Sequence, residues 1–179
     1  MAQVGGLGRK YLYARDSQVF AVTPAQGVQT TGQTSFVATT PTFLIAKTDG
    51  SSTRTIPLSA LLGLTGTQAG GAISVAVYID STDRYSSDGT ALVIKPMAMG
   101  GVVGPGFRVY SNATASAASD AVRRVAEFTI SSTLEIPLAI DFEGEVQIGQ
   151  VGSILIYTWA ATTGPTWSPN FVIAEERLT

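Results

Sequence analysis

Along Gly71–Asp80 apolar and polar side chains alternate. Ile73, Val75, Val77 and Ile79 fall on one side, and Ser74, Ala76, Tyr78 and Asp80 on the other. A period of two marks a half-buried β-strand. The same alternation runs through Val122–Ser131 and Leu134–Phe142, where Pro137, lacking a ladder N–H, points to an edge or irregular strand. Thr42–Thr48 sets Phe43 and Ile45 against Leu44 and Ala46. Tyr11–Arg15, Gln18–Thr23, Ser35–Thr39, Leu92–Ile94 and Phe107–Asn112 have strand composition, and Ile56–Leu64, with its early Pro57, fits a bent strand or a short helical turn, with strand and then loop the expectation. Met97–Gly106 carries four Gly and a Pro and is expected to be a loop, with Met97 and Met99 packed beneath it.

The chain is organised around Glu145–Glu176. Two long apolar runs, Ser153–Ala161 and Asn170–Glu175, flank a turn-rich segment, Thr162–Pro169, and Val146 and Ile148 alternate with Glu145 and Gln147 ahead of them. The pattern predicts three consecutive antiparallel strands, the last two a buried hairpin. In Ser153–Ala161, Ile154 and Ile156 face one way while Leu155, Tyr157 and Trp159 face the other. Such a strand sits inside a sheet covered on both sides or in an oligomer contact, and Trp159 is expected in the core. Eight or more short strands, with no amphipathic helix and no repeat, predict an all-β sandwich or barrel. Residues 1–33 are expected to form an extended N-terminal arm that pairs with the domain edge or a neighbouring subunit, leaving 34–179 as the sandwich. The plainer alternative makes them the first strands of the domain.

Composition narrows the function. With 179 residues, 45% of them hydrophobic, the chain can build one real core. Charged residues make up 13%, about half the usual roughly 25%, which suits a surface covered by neighbours in an assembly. The net charge is −2, and the basic residues are scattered, with only Arg9-Lys10 and Arg123-Arg124 adjacent. No basic arm is available to neutralise phosphates, so direct nucleic-acid binding is not expected. The absence of Cys and His removes thiol chemistry, disulfides, imidazole bases and imidazole metal ligands. The first ten residues lack a charged region followed by an apolar core, so no signal peptide is expected. No apolar run approaches the ~18 residues of a membrane-spanning helix. An enzyme is the least expected class, and no cofactor is expected.

Five groups of residues invite a chemical reading. Asp80, Asp83 and Asp88 lie together in one polar loop and could offer oxygens to Ca²⁺, but their spacing is not that of an EF-hand and Arg84 sits among them. Turn-capping by these aspartates is the plainer expectation. Asp141, Glu143 and Glu145 alternate on one side of a strand-like stretch, so they point the same way rather than across a sugar, as glycoside hydrolysis needs. Tyr78, Tyr85, Tyr110, Tyr157, Trp159 and Trp167 could form a sugar-stacking platform, with core and interface packing as the plainer expectation. Trp167, in a Gly-Pro-Thr-Trp-Ser-Pro segment expected to be a loop, is the leading candidate for an exposed contact, and Tyr85 and Tyr110 are further interface or glycan-contact candidates. The Gly100–Gly106 run lacks the Lys-Ser/Thr of a phosphate-binding loop, and the Asn112-Ala113-Thr114 sequon carries no weight without a secretory route.

The run Phe142–Tyr157, F-E-G-E-V-Q-I-G-Q-V-G-S-I-L-I-Y, together with Leu134–Phe142 and the closing Phe171–Glu176, resembles the second half of single jelly-roll virion proteins. In viral capsid and tumour-necrosis-factor-like jelly rolls, a Gly-punctuated polar turn precedes a long buried strand, and a last long strand returns beside it. Pro41–Ile45, Ile56–Leu58 and Gly71–Asp80 are similar to the first half, so the resemblance spans residues 35–178. It implies a single jelly-roll sandwich and a homo-oligomer, such as a trimer, that sits in a virion beside other capsid proteins. The missing basic arm departs from small RNA-virus capsid proteins and favours a decoration, cement or minor capsid role in a DNA bacteriophage. A single jelly-roll major capsid protein and a glycan-binding β-sandwich of a receptor-binding spike are the alternatives.

Overall fold

The computed structural model describes residues 18–48, 52–65, 71–97, 104–118, 122–133, 137–142 and 145–177. Among them there is no helix, and the strands in chain order are β1 (Gln18–Thr23), β2 (Thr30–Thr31), β3 (Phe43–Lys47), β4 (Thr53–Thr65), β5 (Ile73–Asp80), β6 (Tyr85–Ser87), β7 (Thr90–Ala91), β8 (Val93–Pro96), β9 (Arg108–Ser111), β10 (Thr114–Ala115), β11 (Arg123–Ile130), β12 (Leu138–Asp141), β13 (Gly152–Ala160) and β14 (Thr166–Arg177). One sheet has the order β12-β4-β14-β1-β8, with β2 also on β14; the other runs β11-β5-β13-β3-β9-β7; β6 and β10 form a small pair of their own. The architecture is all-β, with antiparallel sheets in a sandwich-like arrangement.

The strand pairs are nested. β1 pairs with β14, β3 with β13, β4 with β12 and β5 with β11, all antiparallel. Two further ladders, β4 with β14 and β5 with β13, join these pairs into sheets. Residues 81–118, between β5 and β11, lengthen both sheets: β8 pairs with β1, and β9 with β3.

Alternation decides what each strand buries. Phe43 and Ile45 of β3, Ile73, Val75 and Val77 of β5, and Ile154 and Ile156 of β13 pack in one cluster with Phe20, Leu62, Phe171 and Ile173 of the opposite sheet. The intervening positions Leu44, Ala46, Ala76, Leu155 and Tyr157 form a second cluster on the outer face, closed over by Ala113, Ala115, Tyr85 and Tyr110 of the 81–118 segment. Both faces of β13 are therefore covered, as its sequence demands.

The expected hairpin between Ser153–Ala161 and Asn170–Glu175 does not form. β13 lies between β5 and β3 in one sheet, and β14 between β4 and β1 in the other. β13 is apolar on both faces and β14 buries Trp167, Phe171 and Ile173 on one face, and each takes an interior place in its own sheet. The turn-rich residues after Ala160 instead carry the chain from sheet to sheet. There the backbones touch: Gly32 N–H donates to Pro165 O at 2.7 Å, and a Cβ on Gly164 would sit 2.8 Å from the Gly32 carbonyl carbon. Glycine is required at Gly164 by this approach. The strand expected around Val146–Ile148 reduces to one bridge, Ile148 to Thr55.

Other expectations change in detail. Gln18–Thr23, expected in the arm, is flanked on both sides by β14 and β8, and Thr30–Thr31 also pairs with β14. Any part of the arm that stands apart from the sandwich lies before Gln18, outside the described residues, as does the strand expected at Tyr11–Arg15. The Ile56–Leu64 segment lies within a single strand. Ile173 pairs with Pro57 and Val172 with Ser59, so Leu58 is an extra residue, and the bulge accommodates the proline. β12, following Pro137, is an edge strand. Met97 is 58% exposed rather than packed beneath its loop, and Met99 is outside the described residues.

Two polar ties cross between the sheets near opposite ends of β13 and β14. At one end Lys47 Nζ, fully buried, sits 3.0 Å from Glu175 Oε1 and donates to Thr53 Oγ1 at 2.6 Å. Thr53 Oγ1 and the Gly106 backbone N–H also donate to the Glu175 carboxylate, at 2.9 and 3.0 Å. At the other end Trp167 Nε1 donates to Thr158 Oγ1 at 2.9 Å, and Thr158 Oγ1 lies 3.0 Å from Thr42 Oγ1.

Candidate functional site

Trp167 is not the exposed contact its flanking Gly and Pro suggested. It is fully buried. Thr166 and Trp167 are held extended on both sides, paired with Thr31 and Thr30 and with Thr65 and Leu64, so the expected loop is the start of β14. The alternation then points the indole into the core with Phe171 and Ile173. It is out of reach of a sugar or a partner.

Tyr85 and Tyr110 do come together. Their rings stack with centroids 4.3 Å apart and planes 14° from parallel, and the Arg108 guanidinium lies 5.2 Å from the Tyr85 ring centroid. Arg108 also pairs with Asp83 Oδ2 at 3.2 Å. One face of each ring is spent on the other ring, so the pair caps the second apolar cluster rather than offering two free platforms.

Of the other candidate stacking residues, Tyr78, Tyr157 and Trp159 come together beneath a ring that sequence reading missed, Phe36. Phe36, 43% exposed, lies over Tyr157, Trp159 and Tyr78, with centroid separations of 4.9, 5.5 and 5.9 Å. Trp159, expected in the core, is only partly buried beneath it. Ser35–Thr39, expected as a strand, is instead an irregular strap across the outer face of β13, held by Gln33 N–H to Thr158 O at 2.9 Å and Tyr157 Oη to Ala38 O at 2.8 Å. The signal was present: Tyr78, Tyr157 and Trp159 all occupy the non-core side of their strands, and three rings on one outer face need a cover.

Burial pushes the Tyr157 hydroxyl up to about 12, with Arg84 pulling it partly back and Tyr78 adding to the rise. The unfolded value is about 10. A folded-state value above the unfolded one gives stability that is intact below pH 10 and lost as pH rises through about 12. Urea midpoints measured from pH 9 to 12 should therefore fall, and Tyr157→Phe should flatten that fall by up to about 2–3 kcal/mol. An identical slope in the variant would remove the assignment.

The three loop aspartates do not converge. Asp80 accepts from the Thr82 backbone N–H at 3.0 Å and faces the buried Arg84 guanidinium at 3.4 Å. Asp83 accepts from the Tyr85 N–H at 2.9 Å as well as from Arg108. Asp88 accepts from Ser87 Oγ and Thr114 Oγ1. Two of them cap turns two residues ahead, and Arg84 is held in turn by the Ser116 carbonyl. Among the described residues no group of three acidic side chains is placed to hold a metal. Asp141 and Glu145 are exposed, and Glu143 lies outside the described residues. Gly106, from the glycine-rich run, serves the Glu175 carboxylate. Asn112, of the sequon, has a left-handed backbone (φ 52°).

The sheet edges are a further feature of the described surface. The sheets end in β12 and β8 and in β11 and β7. β11 is the most open of the longer strands: Arg123, Arg124, Val125, Glu127 and Thr129 are all exposed. Arg124 pairs with Glu127 of its own strand. No protein-family model, curated protein or solved structure matches the chain.

Proposed function

We propose that this chain is a virion structural protein with a single jelly-roll fold, which self-associates and stabilises a bacteriophage capsid as a decoration, cement or minor capsid protein. The nested strand order carries the reading. The first long strand pairs with the last, the second with the next to last, and so inward to β5 and β11. An antiparallel ribbon of that order, wrapped until β14 meets β4 and β13 meets β5, supports the jelly-roll reading. Residues 81–118 are then an insertion between the fourth and fifth strands of the roll.

Jelly rolls serve viral shells and lectins. The lectin side of that choice loses its leading residue, because Trp167 is inside the sandwich. The low charged fraction of 13% supports a surface that meets other proteins, since few charges need be desolvated there. The mechanism is geometric. Sheet edges and loops give uncharged hydrogen-bonding and apolar area to copies of the chain and to other capsid proteins, at roughly 25 cal/mol per Å² before association costs. The expected tie between subunits by the arm is left to residues 1–17, outside the described residues.

Light scattering on the full chain at two concentrations, with negative-stain microscopy, tests the reading. A stable trimer, ring or larger closed assembly is expected. A monomer at both concentrations that also fails to bind isolated capsids would overturn it. Deleting residues 1–17 should leave the sandwich folded, because its first described strand begins at Gln18, and should weaken assembly. Unchanged assembly would remove the arm from the mechanism. Removing 1–33 would be no test, since it deletes the inner strand β1.

A further inference from the structure

We infer that β11 is the edge through which two copies of this chain pair, strand to strand and antiparallel, so that the sheet containing it continues from one copy into the next. The inference rests on the assembly reading above and names its contact.

Four strands end the two sheets. β12 and β8 have 4 residues each, β7 has 2, and β11 has 8. β11 pairs with β5 on one side and has no strand on its other side among the described residues. An open edge of that length is a template for another strand unless it is blunted by charge or a bulge. β11 carries both, and their placement decides the matter.

The register against β5 moves from Arg124 opposite Tyr78 to Ala126 opposite Val77, so Val125 is the extra residue of a bulge. It is 46% exposed. The bulge shifts the alternation and puts Arg124 and Glu127 on the same outer face, where they pair. Ala126, Phe128 and Ile130 pack against the core side.

An isologous pair centred on Ala126, with Val125 of each copy bulged out, sets Arg124 of one copy opposite Glu127 of the other. The two-fold axis repeats that match. Centring one step away sets Glu127 against Glu127, or Arg124 against Arg124. The charges that guard this edge against other strands are therefore self-complementary in one register and repulsive in its neighbours.

The test mixes two variants of the full chain. Arg124→Glu gives an outer face with two acidic positions, and Glu127→Arg gives one with two basic positions, Arg123 lying on the other face in both. Each alone should lose the contact, with at least a tenfold weaker dimerisation step in sedimentation or light scattering. An equimolar mixture should regain it, because an acidic edge then meets a basic one. Melting temperatures close to wild type for both variants separate lost pairing from lost folding. Wild-type oligomers unchanged in either variant, or variants that lose association and do not regain it on mixing, overturn the β11 contact and leave the assembly reading standing. A wild-type chain that stays monomeric overturns the contact and counts against the assembly reading as well.

Discussion

Replacing Glu175 with Leu should lower stability by about 3–5 kcal/mol, because it strands the Lys47 ammonium inside the sandwich with the neutral Thr53 hydroxyl beside it and no carboxylate opposite. Lys47→Met should also be destabilising, but less so, since the Glu175 carboxylate keeps its bonds from Thr53 and from the Gly106 N–H. The double variant Lys47→Met with Glu175→Leu should recover most of the loss. A buried pair exchanged whole for apolar groups of similar size is often neutral, whereas half a pair leaves an uncompensated charge. Urea midpoints for the four proteins measure this directly. A double variant no more stable than the worse single one would mean that the two sites act independently. In a domain of this size each kcal/mol moves the melting temperature by roughly 2–4 °C, so the single and double variants should separate clearly in a thermal scan.

Trp167→Ala should cost about 3–5 kcal/mol, through the cavity left by a fully buried indole. Trp167→Phe should cost less. It keeps much of the packing and gives up the donor to Thr158 Oγ1, while Thr158 retains its contact with Thr42. Denaturant unfolding measures both, and acrylamide should quench Trp167 poorly in the native protein. A stability change under about 1 kcal/mol for the alanine variant would place the indole at the surface and restore the stacking-platform interpretation.

The contrast between these two sites shows what the sequence made legible. Local alternation assigned the faces of β3, β5 and β13 correctly, because burial on a pleated strand follows a period of two whatever the partner. It did not assign partners. Ser153–Ala161 and Asn170–Glu175 look like a hairpin, since neighbours in sequence are the default pair, yet each lies between strands from the first half of the chain. Nothing within either strand encodes that choice. Trp167 was misplaced for a related reason: Gly164, Pro165 and Pro169 signal a turn, and the signal is spent on the crossover at 161–165. The Lys47–Glu175 tie was readable in retrospect. Phe43, Ile45 and Lys47 occupy successive core-facing positions of one strand, and Phe171, Ile173 and Glu175 those of another. A charge at the third inward position of each strand, opposite in sign, is a pattern that alternation could have flagged. The Arg124–Glu127 match was invisible until the bulge at Val125 placed both side chains on one face.

The places of β13 and β14 have a consequence for how the chain is made. Each is the middle of a different sheet, and together they supply partners to β3, β5, β1 and β4. On the ribosome, β1, β3, β4 and β5 can meet β8, β9, β12 and β11 as these emerge, but neither sheet gains its inner strand until β13 and then β14, ending at residue 177, have cleared the exit tunnel. Sheet closure is then a late, long-range event, which places this chain among slow folders of high contact order. Through that interval its apolar strands are open to mispairing with other nascent copies. Translation stalled before β13 should yield insoluble chains rather than a smaller folded domain, and yield in the cell should depend more on chaperone capacity than on the stability of the finished protein.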